Sequence, residues 1–170
     1  MATSGIIGDD WEHAGLAVRV SLADDATLER LDTWRARRTG QTGSWDWRRL
    51  SSQCRECFVA SVADEPVVAL AGPRASVTIV SGVPCYRLDY VEVAPERRRA
   101  DGWGAFALVL AAHRGAELGA RGLVMPALRE RVGWLGRLGA QRVPKYAWRC
   151  DRELVALWIV GQSFDILVEP

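Results

Sequence analysis

Val91-Glu92-Val93-Ala94-Pro95-Glu96-Arg97-Arg98-Arg99-Ala100-Asp101-Gly102-Trp103-Gly104-Ala105 runs out of an extended apolar segment and through an arginine cluster, then ends at two glycines that open a helix. Upstream, Tyr86 to Val93 alternates in polarity and reads as a strand that stops before Ala94-Pro95. Downstream, residues 102–118 form the longest helical pattern in the chain, with Gly119 and Gly122 as stops. A helix start presents unpaired N–H groups and the positive end of the dipole. Glycines let an anion approach the backbone, and Arg98 and Arg99 add charged donors. Chemically this is a site for a di- or polyphosphate.

Two phosphate-binding patterns fail here. A P-loop needs Gly-Lys-Ser/Thr, which the segment lacks. Gly102-x-Gly104-x-x-Ala107 has the letters of a dinucleotide fingerprint, but eight residues intervene between Val93 and its first glycine. The next strand also ends Met125-Pro126 rather than in an acid. The plain alternative is an Arg-rich surface loop ahead of a glycine-opened helix.

Working outward, Leu16 to Leu22 predicts a first strand, and residues 1–15 a loose lead-in. Asp24 and Asp25 cap a helix over 24–38, and Trp45 to Cys54 predicts a second, short helix. Cys57–Val62 and Val67–Ala71 form a hairpin about Asp64-Glu65-Pro66, and Val77 to Val80 extends it. Leu123-Val124-Met125 reads as a strand buried on both faces. A helix over 128–138 and strands at 141–150 and 156–160 close the chain. The order β-α-α-β-β-β-α-β-α-β-β predicts an α/β (α+β) fold with a mixed, mostly antiparallel sheet of six to seven strands and helices on both faces. The unit around 86–125 supplies one parallel pair. Residues 16–170 are expected to form one domain.

Composition narrows the function. The chain has 170 residues, 49% hydrophobic and 25% charged, which suits a single globular core. A net charge of +1 excludes a strong global field for nucleic acid. Of the 22 basic residues all but Lys145 are arginine, as in a GC-rich bacterial genome, so a single arginine carries little information. No secretory signal or membrane-spanning run is read. Cys54-Arg55-Glu56-Cys57 stands without a second pair at zinc spacing, so no metal is expected and a reducing cytoplasm is the default.

Arg99-Ala100-Asp101-Gly102-Trp103-Gly104 matches the Q/R-x-x-G-x-G/A loop that cradles the pyrophosphate of coenzyme A in the GNAT superfamily of acyltransferases. The chain therefore resembles a GNAT N-acetyltransferase, in element order over 16–160 and most specifically over 86–140, where Leu138-Gly139-Ala140 stands in place of a frequent Leu-Gly-Phe. The resemblance implies a cytoplasmic transferase using acetyl-CoA as co-substrate, with direct attack of an amine on the thioester. It implies a sheet that splays apart beside the pantetheine arm, with backbone groups around Val91 and Val93 bonding that arm. Amides of Arg99, Ala100, Asp101, Gly102, Trp103 and Gly104 would hold the pyrophosphate, with Arg98 as a further charged donor. The expected acceptor is a primary amine of a small molecule, with a protein or aminoacyl-tRNA amine, or a non-catalytic acyl-CoA-binding module, as alternatives. Superfamily members are often dimers, which leaves a homodimer open.

An ammonium must lose a proton before it attacks. Asp89 and Glu92 are the two carboxylates on the strand; their odd spacing puts them on opposite faces unless a bulge intervenes. Each is a candidate base, and the plain alternative for each is an ordinary strand carboxylate salt-bridged to a neighbour such as Arg87. The family's acid, a Tyr, corresponds to Leu135 here, and the Asn that often opens the last helix is missing near Ala127-Leu128. Tyr146, Tyr90, Cys150 or water could protonate the thiolate. Trp34, Trp45, Trp47 and Tyr90 are candidates for the acceptor wall, with core packing the plainer role for each tryptophan. His113 reads as a packing residue, and His13 has no visible partner.

Overall fold

The computed structural model describes residues 5–36, 45–53, 55–80, 82–97, 101–128, 135, 137, 141–142, 152–160 and 165–167. Two compact units emerge, each built from two pieces of chain: residues 1–74 with 90–110, and residues 75–89 with 111–170.

The first unit holds an antiparallel sheet of five strands: β1 (Gly8–His13), β2 (Leu16–Leu22), β3 (Arg55–Val62), β4 (Glu65–Pro73) and β7 (Tyr90–Val93), in the order β1-β2-β3-β4-β7. The loose lead-in expected over residues 1–15 is corrected by β1. Ala14 and Gly15 both adopt positive φ, the left-handed pair that matches a two-residue hairpin turn to strand twist. Ala63 and Asp64 do the same between β3 and β4, so the reversal falls earlier than at Pro66.

Helices α1 (Asp25–Ala36) and α2 (Trp47–Ser52) follow the expected pattern with shorter ends. Asp24 caps α1: its carboxylate accepts from Thr27 N at 2.8 Å, and its own N–H donates to Thr27 Oγ1 at 2.8 Å. The Thr27 hydroxyl also donates to the Asp24 carboxylate, and this bond, together with the one from Thr27 N, holds the carboxyl below the usual range. Asp46 caps α2 by accepting from Arg49 N at 3.0 Å. Leu28, Leu31 and Trp34, at a spacing of one helical turn, bury into one cluster with Trp47, Leu50, Val59, Ala69 and Ala71.

The second unit holds a six-stranded sheet. Its path is β11 (Asp165–Leu167), β10 (Arg152–Val160), β8 (Gly122–Leu128), β6 (Val83–Arg87) and β5 (Thr78–Val80), with β9 (Gln141–Arg142) on β10. The expected parallel pair is β6 with β8, the one parallel pairing among the described residues. Helix α3 (Trp103–Glu117) crosses over between them, its first half in the first unit and its second half in this one. Gly115 lets α3 approach β6, because a Cβ there would stand 2.9 Å from Tyr86 Cβ.

The largest correction concerns the single strand expected over 86–93. It is two strands in two sheets. Tyr86 and Arg87 pair parallel to β8, Leu88 N donates to Val124 O, and from Tyr90 the chain pairs antiparallel with β4. The one sheet of six to seven strands is accordingly two sheets. Strand β8 runs to Leu128, and the remainder of the helix expected over 128–138 lies mostly outside the described residues. The strand expected over 141–150 is described only at Gln141–Arg142.

Candidate functional site

Among the described residues β1 is one edge of the first unit's sheet and β7 the other. Its register pairs Tyr90 with Ala71, Glu92 with Ala69 and Val93 with Val68, and Ala94 N donates to Val67 O at 2.9 Å. Antiparallel bonding alternates, so the peptide groups of Tyr90, Glu92 and Ala94 face β4. Those of Val91 and Val93 therefore face the outer edge of the strand. The side chain of Val91 is exposed.

On the opposite side-chain face, Glu92 is buried at 4% exposure. Its Oε2 accepts the indole N–H of Trp47 at 2.8 Å and the backbone N–H of Trp45 at 3.2 Å. Tyr90 packs edge-on against Trp45, centroids 4.8 Å apart, and the Arg55 guanidinium lies 5.1 Å over the Tyr90 ring. Trp34 and Trp47 are each 1% exposed and belong to the core, which corrects their expected place on the acceptor wall. Trp45 and Tyr90 are the half-buried aromatics of this group.

Asp89, in the second unit, follows β6 and accepts from Arg87 Nε. Its side chain is 8% exposed against 28% for Arg87. The two carboxylates thus have separate surroundings: Glu92 is held by neutral N–H donors, and Asp89 is paired with a cation. Strict alternation breaks at Leu88-Asp89, where the chain leaves one sheet for the other.

After β7, a single 3-10 turn (Pro95–Arg97) leads toward the helix start. Arg98, Arg99 and Ala100 lie outside the described residues, as do Cys54, Tyr146 and Cys150. Asp101 and Gly102 both have positive φ, +54° and +68°. The carbonyl of Gly102 accepts from Phe106 N at 3.0 Å, the first turn of α3. Trp103 is buried, and Gly104 lies inside the first helical turn.

His13 closes over this turn, a residue the sequence reading left without a partner. Its Nε2 lies 2.5 Å from the carbonyl oxygen of Asp101, as the donor of a hydrogen bond. Its ring stacks on Phe106 at 4.7 Å and meets Trp103 edge-on at 4.6 Å. The available signal was the alternation of Trp11 and His13 just before Ala14-Gly15, since Trp11 meets Phe106 as well.

Other singled-out groups are structural. Leu135, at the position of the family's acid, is buried. Burial pushes the Cys57 and Cys85 thiols up to about 11, where they are neutral and unreactive. Burial lowers the pKa of His113 on α3, opposed by nearby Glu117. Among the described residues no group of His, Cys, Asp and Glu is placed to hold a metal ion. No helix among them is long and apolar enough to cross a membrane.

No family model matches the sequence, and no curated protein matches it. Solved structures do match its fold. The GNAT domain of S. lividans PAT superposes with a TM-score of 0.60 at 15% identity, covering 89% of this chain and 96% of that one. A GNAT-family acetyltransferase structure from Desulfovibrio desulfuricans gives 0.61 at 16% identity, covering 85% and 100%. An aminoglycoside 6'-N-acetyltransferase complexed with coenzyme A gives 0.57 at 13% identity, covering 84% and 98%.

Proposed function

We propose that this chain, which has the GNAT fold, is an acetyl-CoA-dependent N-acetyltransferase acting on a primary amine of a small molecule. The observation that carries the reading is the pairing of two features within one unit. The register of β7 turns the peptide groups of Val91 away from β4, and a left-handed Asp101-Gly102 turn opens α3. The first suits the amide-bearing pantetheine arm. The second suits a pyrophosphate, with Arg98, Arg99, Ala100, Trp103 and Gly104 completing the loop. Similarity to a structure complexed with coenzyme A supports the same ligand.

The amine attacks the thioester carbonyl, the C–S bond breaks, and coenzyme A leaves as thiolate. Asp89 takes the ammonium proton through water, with Glu92 as the other candidate base. The two N–H groups held by Glu92 favour an anchoring role for it, fixing Trp45 beside Tyr90 as the acceptor wall. Tyr146 or water returns a proton to the thiolate. A small acceptor is favoured over aminoacyl-tRNA by a net charge of only +1.

A second reading is an acyl-CoA-binding module without turnover. Leu135 favours it, as a buried apolar residue where the family carries its acid. A thermal-shift series with acetyl-CoA, followed by an amine panel read through free-thiol release, tests both. Binding with thiol release supports the enzyme, binding with no release supports the module, and no shift with any acyl-CoA overturns both.

A further inference from the structure

We infer that His13 is a positioning residue for the anion site at the start of α3: it latches the Asp101–Gly102 peptide in the orientation that ligand binding needs. The inference rests on the proposed coenzyme A site and adds a residue that neither the loop motif nor the fold assigns.

The latch is built by the β1–β2 hairpin. Ala14 and Gly15 turn the chain immediately after His13, and His13 pairs with Leu16 across that turn. Strand alternation puts Trp11 and His13 on one face, and both rings meet Phe106 of α3, at 6.0 and 4.7 Å. Trp103 meets the imidazole at a steep ring angle and completes the packing around it, and among the described residues its Nε1 has no hydrogen-bond partner. The imidazole is thereby held with Nε2 on the Asp101 carbonyl oxygen.

That bond controls a donor on the far side of the peptide. In a trans peptide the C=O and the following N–H point in opposite directions. With the Asp101 carbonyl turned toward His13, the Gly102 N–H is turned away from it. A flip of this one peptide would carry the N–H to the His13 side and present a carbonyl oxygen to any anion. Flipping is open to this peptide because it turns ψ of Asp101 and φ of Gly102, now +68°, and glycine takes either sign of φ. The Nε2–H donates in both the neutral Nε2-protonated tautomer and the imidazolium, so the latch survives protonation.

The test has a ligand-free arm and a ligand arm. In the wild-type chain without ligand, long-range proton–nitrogen NMR of the imidazole should show His13 protonated at Nε2. A neutral Nδ1–H tautomer overturns the inference, whatever the protein binds. In the second arm, coenzyme A is titrated calorimetrically into wild type, His13→Phe and His13→Gln, each checked for an intact thermal transition. His13→Phe keeps a ring and loses the donor, and should raise Kd roughly tenfold. His13→Gln restores an N–H and should recover most of that loss. A folded His13→Phe with wild-type affinity, or a Gln variant no better than Phe, overturns the latch. If wild type binds no coenzyme A, the proposed function fails and the ligand role of His13 with it, while the tautomer still reports separately on the contact itself.

Discussion

The carboxylate of Glu92 accepts the indole N–H of Trp47 at 2.8 Å, tying β7 to α2 across 45 residues of chain. The same oxygen takes the backbone N–H of Trp45. A buried carboxylate needs such donors, since burying an unsatisfied charge is costly. Trp47→Phe keeps an aromatic ring but removes one donor, and should cost about 2 kcal/mol or more in urea unfolding. Glu92→Gln keeps the shape and loses the charge, and should cost less. Equal losses in the two variants would argue against a charged acceptor at this position.

Asp89→Asn should lower kcat roughly 100-fold, the usual scale for general-base loss, with coenzyme A affinity nearly unchanged. Glu92→Gln should act mainly on stability and on acceptor KM. The reverse pattern, seen in steady-state assays of the two variants, would transfer the base to Glu92.

The turn at the start of α3 gives two different glycine effects. At Gly102 there is room for a methyl group, 3.9 Å from His13 Cε1, but φ is +68°. Gly102→Ala should therefore destabilise by about 1 kcal/mol through the backbone, without a clash. Gly104→Val should act on the ligand instead, raising the acetyl-CoA Kd more than about tenfold by blocking its approach. A folded Gly104→Val protein with unchanged affinity would remove the phosphate assignment.

Gly115→Ala offers a purely structural test. Alanine is the better helix former by about 1 kcal/mol. Its Cβ would nonetheless stand 2.9 Å from Tyr86 Cβ and 3.4 Å from Ala120 Cβ, atoms close to the main chain that cannot swing aside. Net destabilisation of roughly 1–3 kcal/mol is expected in denaturant titration. A more stable variant would show that α3 has slack against β6.

Cys57 and Cys85, pushed up to about 11 by burial, should resist iodoacetamide in the native protein near pH ~8 and react once unfolded, as peptide mapping would show. The sign for stability follows from the same shift. Folding keeps these thiols protonated, so their contribution is complete below the ordinary value of 9.0 and is lost as pH rises toward about 11. Replacing both by alanine should flatten that alkaline decline in a pH series of Tm.

Local pattern was enough for most elements. Leu28, Leu31 and Trp34 at helical spacing marked α1, and all three are buried. Alternation marked β2, the hairpin pattern marked β3 and β4, and the crossover rule alone required the parallel partner that β6 finds in β8. Residue type and spacing singled out the Gly102-Trp103-Gly104 stretch and the two carboxylates, and the helix start expected there is found at Trp103. The resemblance implied a sheet that splays apart, but that residues 86–93 would themselves divide between two sheets was not legible. Val83–Arg87 and Tyr90–Val93 have similar extended, apolar character, and only the strands that claim them, β8 and β4, differ. The fate of the tryptophans was likewise a packing matter: Trp34 and Trp47 go to the core while Trp45, two residues away, stays half-buried beside Tyr90. His13 meets Asp101 across 88 residues, a contact that no sequence window can contain. Periodicity and motif record what each segment can do; long-range pairing then selects which neighbour it does it with.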